Sequence, residues 1–182
     1  HVGEPGLTMA ELCEAAVTLS DNPAANLMLA SFGGPAGLTR YLRGLGDTQT
    51  RLDPNEPGLN ESLPGDPRDT TTPAAMLGTM QKILLGDALL PASRARIQAW
   101  LDGCLTGDKR LRAGVPADWL VGDKTGTGPR GSTCDIAILR PPRRAPILVT
   151  AYLTGTQASM EARDAALASV GAVVNRASRP QS

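Results

Sequence analysis

The strongest constraint on the fold of this chain is a change of pattern near Asp118. Before it, apolar residues recur at helical intervals. After it come three short segments rich in Val, Ile, Leu and Thr and separated by Gly/Pro turns: WLVGDKTG, STCDIAILR and APILVTAYLTG. A helical pattern then returns from Ser159 to Ala177. We therefore predict an α+β fold, with a mostly helical lobe over 1–118 and three antiparallel strands plus a C-terminal helix over 119–182.

Five helices are predicted before the strands. The first runs from Thr8 to Leu19, because Thr8 and Glu11 have the spacing of a capping box. The others begin at or beside a proline, which suits the first helical turn, and cover about 23–32, 35–46, 73–86 and 92–103. In the C-terminal helix, the residues predicted to be buried are Met160, Leu167, Val170 and Val174.

The stretch RLDPNEPGLNESLPGDPRDTTT, residues 51–72, has no hydrophobic period. Its prolines, glycines and acidic and amide side chains favour turns. A structureless loop of about 20 residues inside a compact domain is usually functional or disordered. We predict that this loop is part of a functional site.

Charge and composition exclude several classes of function. Lys plus Arg and Asp plus Glu balance at 18 each, so no net field attracts nucleic acid or an anionic membrane. No apolar run approaches the ~20 residues needed to span a bilayer. The three cysteines do not have metal-site spacing, and the single histidine is His1, so we predict no metal site.

Two polar motifs interrupt this pattern. Ser20-Asp21-Asn22 stands before Pro23 at a helix junction, and Lys124-Thr125-Gly126 lies on the first predicted strand. Taken alone, the first motif is typical of a helix cap and the second of a strand entering a turn. Neither motif alone identifies a catalytic site.

Together with EPGLN in the long loop, these motifs resemble those of the class A serine β-lactamases. The segments FGGPAGLTRYLRGLGD, RDTTTPAAM, VPADW and GDKTGTG also follow that family's running sequence. The resemblance implies a helical lobe beside an antiparallel sheet, hydrolysis of penicillins and cephalosporins through a serine acyl-enzyme, a monomer, and a periplasmic or secreted location. It implies neither a metal nor a cofactor.

The resemblance also implies roles for individual residues. Ser20 would shuttle a proton to the lactam nitrogen, and Asn22 would bind the substrate's side-chain amide. Glu56 would activate the deacylating water, Asn60 would help to position that water, and Lys124 would be the cleft cation. Because deacylation separates a hydrolase from a covalent trap, Glu56 favours a β-lactamase over a penicillin-binding D,D-peptidase. The Glu56–Pro57 peptide bond, often cis in relatives, is expected to be cis.

The substrate's carboxylate and backbone would be held by Thr125, Gly126 and Thr127, with the Thr127 N–H as one oxyanion donor. Many relatives place an arginine where this chain has Thr133. Some relatives supply the charge from the loop before the last strands, and there this chain offers Arg110. The alternative for Arg110 is a solvated surface charge.

Two further departures from the family pattern stand out. Many relatives pair an arginine two residues before the catalytic Glu with the Asp matched by Asp69, but this chain has Pro54 there. We expect a looser loop that admits bulkier substrates. Cys13 matches a position that in several members forms a disulfide with the nucleophile's helix, although a buried free thiol is equally consistent with the sequence. Cys104 and Cys134 receive no assignment.

No serine in the chain is followed three positions later by lysine, so the S-x-x-K nucleophile motif does not occur. The resemblance therefore covers roughly the C-terminal two-thirds of the family pattern. We expect this polypeptide alone to be inactive, poorly folded and prone to aggregate, because an unpaired strand edge and apolar surface would be exposed. The alternatives are a D,D-peptidase-like protein and a non-catalytic β-lactam-binding relative.

Overall fold

The structure is a computed structural model that describes residues 6–179. Helices and strands follow one another in the order that the sequence pattern predicts. The α-helices within this range are α1 (Met9–Glu14), α2 (Asn22–Ser31), α3 (Gly34–Gly44), α4 (Pro73–Met80), α5 (Pro91–Asp102) and α6 (Met160–Ala177). The strands are β1 (Leu120–Thr127), β2 (Thr133–Arg140) and β3 (Ile147–Leu153).

The three strands form an antiparallel sheet in the order β1-β2-β3. Its register places Lys124 opposite Ile136 and Gly126 opposite Cys134. Cys134 in turn lies opposite Tyr152 of β3. The predicted α+β architecture is confirmed, whereas the division into lobes at residue 118 stays a prediction.

The first predicted helix begins as expected, because the Thr8 hydroxyl caps Glu11 N–H and the Glu11 carboxylate accepts from Thr8 N–H. It does not remain a regular α-helix to Leu19, since residues Ala15–Leu19 form a wider π-helical turn. The predicted helix over 73–86 changes in the same way at Gln81–Leu85. Such turns occur frequently at functional sites, and the first of them ends at Ser20.

Alternate residues of the strands pack on opposite faces of the sheet. On one face, Ala137 and Leu139 pack with Leu111 and with Leu167 of α6. On the other face, Ile138 packs with an apolar cluster from α4, α5 and the turn after α4, namely Met80, Leu84 and Leu101. The sheet is therefore covered on both faces, and the ends of its strands carry the polar motifs.

The prediction of a buried Met160 is wrong, because this side chain is 37% exposed. Met160 is the first residue of α6, and the buried stripe of the helix begins one turn later with Asp164, followed by Leu167 and Gly171. Val170 and Val174 pack partly buried against the core. A Cβ at Gly171 would lie 2.4 Å from the Leu111 carbonyl oxygen, so glycine permits this close approach.

Residues 51–72 contain neither an α-helix nor a strand, and only Gly58–Asn60 forms a short 3-10 turn. The long loop predicted from its prolines is therefore confirmed. Within residues 6–179, no helix combines the length and the apolar character needed to cross a bilayer.

Candidate active site

A cavity of about 800 Å³ lies between the long loop, the polar junction before α2 and the ends of the strands. Most of the predicted site residues line it. They are Ser20, Asn22, Glu56, Asn60, Lys124, Thr125, Gly126 and Thr127. The remaining one, Arg110, is not part of the lining and lies behind Thr127. The structure thus brings together motifs that are about 100 residues apart in the chain.

The backbone at the polar junction turns sharply before α2. Ser20 has a left-handed conformation (φ 59°), which is uncommon for a residue with a side chain. Asp21 caps α2 by accepting the Ala24 N–H at 2.7 Å. Asp21 therefore performs the capping role that is usual for such motifs, and it lines the cavity together with Ser20 and Asn22.

Lys124 joins the sheet to this junction. Its Nζ donates to the Ser20 Oγ at 2.8 Å and to the Thr125 carbonyl oxygen at 2.7 Å. Burial disfavours the charged form and lowers the pKa of Lys124 from its usual value. A partly desolvated ammonium group beside a hydroxyl can exchange or polarise a proton at that hydroxyl.

Glu56 and Asn60 form a second group in the lining of the same cavity. Asn60 Nδ2 donates to Glu56 Oε2 at 2.6 Å and to the Pro57 carbonyl oxygen at 3.2 Å. The Glu56–Pro57 peptide bond is cis, as predicted. This arrangement leaves Glu56 Oε1 without a donor from Asn60, so the oxygen can accept a proton from a water.

Asn26 is a residue that the sequence argument missed. Its Oδ1 accepts the Glu56 N–H at 2.9 Å and its Nδ2 donates to the Glu56 carbonyl oxygen at 3.0 Å. This reciprocal pair attaches the long loop to α2 at the residue predicted to be the base. The one available signal was an asparagine in a helix interior, where asparagine is a poor helix former.

Arg110 is buried, with a side chain only 7% exposed, so the alternative of a solvated surface charge is wrong. Its Nε donates to Asp164 of α6 at 2.9 Å. Its Nη1 donates to the Gly126 and Cys134 carbonyl oxygens, and its Nη2 donates to the Thr127 hydroxyl at 2.6 Å. Arg110 therefore places positive charge behind the predicted carboxylate site.

The remaining strand residues are closely packed. The Thr125 hydroxyl is 2.5 Å from the Thr106 hydroxyl. A Cβ at Gly126 would lie 2.6 Å from the Cys134 Sγ, so a larger residue would displace the strand or the thiol. Thr133, which stands where many relatives have an arginine, accepts from Arg163 Nη1 of α6 at 3.0 Å.

Two buried carboxyl groups fix the segment that carries Arg110. Arg112 forms an ion pair with the buried Asp123 of β1. The Leu111 N–H donates to Asp135 Oδ2 of β2 at 3.0 Å. Burial raises the pKa of both Asp123 and Asp135, and that of Asp135 reaches about 7. Sequence reasoning missed both carboxyl groups, because alternation along a strand does not show which polar residue faces inward.

The long loop closes at its neck without the arginine that Pro54 replaces. Asp69 Oδ1 accepts the Asp53 N–H at 2.8 Å, and the Asp69 N–H donates to Asp53 Oδ2 at 3.2 Å. Asp53 also forms an ion pair with Arg51. Burial, with the Asp53 charge nearby, raises the pKa of Asp69. An alternative anchor therefore exists, and whether the loop is looser stays a prediction.

In the described part of the chain, the cysteines form no disulfide and the acidic side chains form no metal cluster. Cys13, Cys104 and Cys134 are free thiols in the described part of the chain. Between residues 6 and 179, no cluster of three or more His, Cys, Asp or Glu side chains could hold a metal ion. His1, on which the sequence argument about metals depended, lies outside the described residues.

Comparison with known proteins places this geometry in a family. Residues 3–177 match the model of the beta-lactamase enzyme family. Among curated relatives, beta-lactamase AER-1 of Aeromonas hydrophila is 46% identical over 168 residues, which are 92% of this chain and 55% of the relative. Beta-lactamase AST-1 of Nocardia asteroides is 48% identical over 171 residues, which are 94% of this chain and 55% of that relative. The chain thus spans little more than half the length of these relatives.

Solved structures agree with this match. An ancestral (GNCA) class A beta-lactamase is 64% identical, with a TM-score of 0.95 over 97% of this chain and 68% of its own. The putative class A beta-lactamase PenP from Rhodopseudomonas palustris is 60% identical, with a TM-score of 0.94. The match covers 96% of this chain and 67% of PenP. From its sequence and its fold together, the chain belongs to the beta-lactamase enzyme family, class A.

Proposed function

We propose that the protein to which this chain belongs hydrolyses β-lactams through a serine acyl-enzyme. The observation that carries the proposal is the 2.8 Å contact between Lys124 Nζ and Ser20 Oγ in the same cavity as the Glu56–Asn60 pair. Acyl transfer needs proton transfer to the leaving nitrogen and, for turnover, a base for the attacking water. The Lys124–Ser20 and Glu56–Asn60 pairs of the cavity offer one group for each task.

Each pair has a distinct proposed role. Ser20, with Lys124 beside it, passes a proton to the lactam nitrogen as the ring opens. Glu56 removes a proton from the water that attacks the acyl-enzyme, and Asn60 helps to orient that water. Asn22 binds the side-chain amide of the substrate. The substrate carboxylate lies at Thr125, Gly126 and Thr127, with the buried Arg110 supplying positive charge from behind.

The nucleophile is proposed to come from outside these 182 residues. No serine here has lysine three positions later, and the cavity of about 800 Å³ that Ser20, Lys124 and Glu56 line offers space for one. Among the described residues, β3 pairs on one side only, with β2, so its other edge can accept a further strand. We therefore propose that a segment with S-x-x-K packs here and completes the site.

The compartment and the oligomeric state that we propose are those implied by the resemblance to class A β-lactamases. β-Lactams act on cell-wall synthesis outside the cytoplasm, so the protein is proposed to be periplasmic or secreted, and to act as a monomer on a small-molecule substrate. Neither nucleic acid nor a membrane is proposed as a partner, because the charges balance at 18 of each sign.

The test is nitrocefin hydrolysis by the chain alone and by the chain co-expressed with an N-terminal segment from a class A relative that carries S-x-x-K. We call the second preparation the complemented protein. Hydrolysis only after complementation is the expected result. Absence of hydrolysis in a complemented protein whose folding is confirmed by circular dichroism would favour a non-catalytic relative. An S-x-x-K motif in the upstream coding sequence would independently support the enzyme.

A further inference from the structure

Asp135 has no role in the proposed mechanism, although it is a buried carboxyl group close to the site. It lies in β2 and has no exposed surface. Its Oδ2 accepts the Leu111 N–H at 3.0 Å, and its Oδ1 has no hydrogen-bond partner among the described residues. Within residues 6–179 it also forms no ion pair, so no neighbour compensates its charge directly.

Two short connections link Asp135 to the end of β1. Leu111, which donates to Asp135, directly follows Arg110 in the chain. Cys134, which directly precedes Asp135, accepts Arg110 Nη1 through its carbonyl oxygen at 2.8 Å. Arg110 in turn donates to the Thr127 hydroxyl at 2.6 Å. The Asp135 carboxyl group is therefore linked, through Leu111 and Cys134, to the cation that supports the proposed carboxylate site.

The charges around Asp135 come from three elements. Burial raises its pKa most and the neighbouring Asp123 raises it further. The Leu111 N–H, Arg110 and Arg112 lower it, and the resulting pKa is about 7. Cys134 is the neighbouring titratable group in the same strand. Helix α6 contributes Asp164, which pairs with Arg110, and Arg163, which donates to Thr133. Arg110 and Arg112 each already have a carboxylate partner, Asp164 and Asp123 respectively.

We propose that Asp135 is a positioning residue that tunes, through Arg110 and Thr127, how strongly the end of β1 holds the carboxylate of the substrate. The inference rests on the proposed function, because it needs an anionic substrate at Thr127. As a neutral acid, Asp135 leaves the positive potential of Arg110 at the strand end undiminished. As an anion, it reduces that potential and weakens the hold on the carboxylate.

The charge of Asp135 makes KM depend on pH. Asp135 loses its proton as pH rises through about 7, so negative charge appears behind Thr127 above this pH. KM for a β-lactam with a free carboxylate therefore rises between pH 6 and 8, on the order of fivefold. The maximal rate has no reason to follow this change, because Asp135 touches neither Ser20 nor Glu56 in the structure.

The test compares Asp135→Asn with the wild type in the complemented protein. Asparagine keeps an oxygen acceptor for the Leu111 N–H but does not titrate. KM and kcat for benzylpenicillin are measured separately from about pH 5.5 to 8.5. The wild-type KM is expected to rise with pH, and the variant KM to stay low and vary less than about twofold. Equal KM profiles for the two proteins would overturn the inference.

The matched control is Asp108→Asn. Asp108 lies on the segment that carries Arg110, and its replacement by asparagine changes the net charge by the same amount. Its side chain, however, is 78% exposed, and its Oδ1 lies 3.7 Å from Arg112 Nε. Its KM profile is expected to match the wild type, because solvent screens its charge. A complemented wild type that hydrolyses nothing would contradict the proposed function rather than this inference.

A measurement on the wild type covers the case in which Asp135→Asn does not fold. Carbon-13 NMR of the aspartate carboxyl groups, with Asp135 assigned through its backbone neighbours, follows the group directly and without any substrate. A titration midpoint near pH 7 is expected. A resonance that stays in the ionised position throughout pH 5.5 to 8.5 would overturn the inference.

Discussion

The ammonium group of Lys124 lies 2.8 Å from the hydroxyl oxygen of Ser20, a residue 104 positions earlier in the chain. The contact joins β1 to the left-handed junction before α2. Burial lowers the pKa of Lys124, so this ammonium group releases a proton more easily than one in water. The pair is the geometric basis of the proton transfer proposed here.

Removal of the Ser20 hydroxyl is expected to slow acyl transfer. In the complemented protein, Ser20→Ala should lower kcat/KM for nitrocefin by about 10²- to 10⁴-fold, the usual contribution of a positioned proton-transfer group. The control is Ser31→Ala at the exposed end of α2, where the hydroxyl donates only to the Met28 carbonyl oxygen. A Ser20→Ala protein with wild-type kcat/KM would exclude the proton shuttle.

Loss of the Asn26 side chain is expected to release the long loop at Glu56. Asn26→Ala leaves the Glu56 N–H and carbonyl without their partners, which should lower the free energy of unfolding by about 1–3 kcal/mol. It should also slow deacylation, because Glu56 is no longer held in place. Urea unfolding and the decay of the acyl-enzyme followed by mass spectrometry measure the two effects.

The control for Asn26 is Asn55→Ala, because Asn55 is an exposed residue of the same loop. Its side chain makes no hydrogen bond among the described residues, and only its carbonyl oxygen accepts the Leu59 N–H. Both its unfolding free energy and its deacylation rate should match the wild type. Equal behaviour of Asn26→Ala and Asn55→Ala would show that Asn26 does not position Glu56.

An arginine at position 54 is expected to tighten the neck of the loop. Pro54 packs near Gly58. Asp69 is hydrogen-bonded to Asp53, the residue before Pro54, and partial burial raises the pKa of Asp69. A guanidinium at this position would pair with Asp69 and restrain the loop. Pro54→Arg should therefore slow proteolysis of the loop and lower turnover of bulky cephalosporins. No change in either measurement would contradict the proposal that the present loop admits bulkier substrates.

Asp47 is expected to make stability depend on pH. Burial acts to raise its pKa, but hydrogen bonds from Thr50, Gln49 N–H and Thr79 outweigh burial and lower the pKa to about 2. A carboxyl whose folded pKa is depressed stabilises the fold above its unfolded pKa, near 4, and loses that contribution as pH falls toward 2. Asp47→Asn should cost about 2 kcal/mol of unfolding free energy at pH 7 and much less near pH 2.

Urea unfolding of the complemented protein at several pH values measures this effect. The control is Asp87→Asn, because the exposed Asp87 side chain forms no ion pair or hydrogen bond in the described part of the chain. This variant should match the wild type at every pH. A destabilisation by Asp47→Asn that is independent of pH would show that Asp47 contributes through packing alone.

Local signals in the sequence predicted much of the fold. The Thr8–Glu11 capping box marks the start of α1, and the short apolar segment WLVGDKTG, bounded by turn residues, predicts β1. Local signals do not determine how a helix end widens, so the π-helical turn before Ser20 was not foreseen. Met160 has the right spacing for burial but lies beyond the part of α6 that packs on the core.

The site was predicted less completely than the fold, because its support comes from contacts between distant segments. The motifs located Glu56 but not Asn26, which holds it from 30 positions away. Arg110 was chosen by resemblance, yet its burial depends on Asp164, 54 positions later in the chain. Such pairings depend on tertiary packing, and a single sequence contains no direct signal that predicts which distant residues come into contact.

The central claim, hydrolysis through an acyl-enzyme resolved by Glu56, is tested most directly by the mass of the complemented protein after mixing with benzylpenicillin. Glu56→Gln should retain an adduct of one intact penicillin, while the wild type should return to its free mass as product accumulates. Glu14→Gln, at an exposed glutamate of α1, is the matched control and should behave as the wild type. If the correctly folded wild type turns over no penicillin and Glu56→Gln holds no adduct, the account is contradicted.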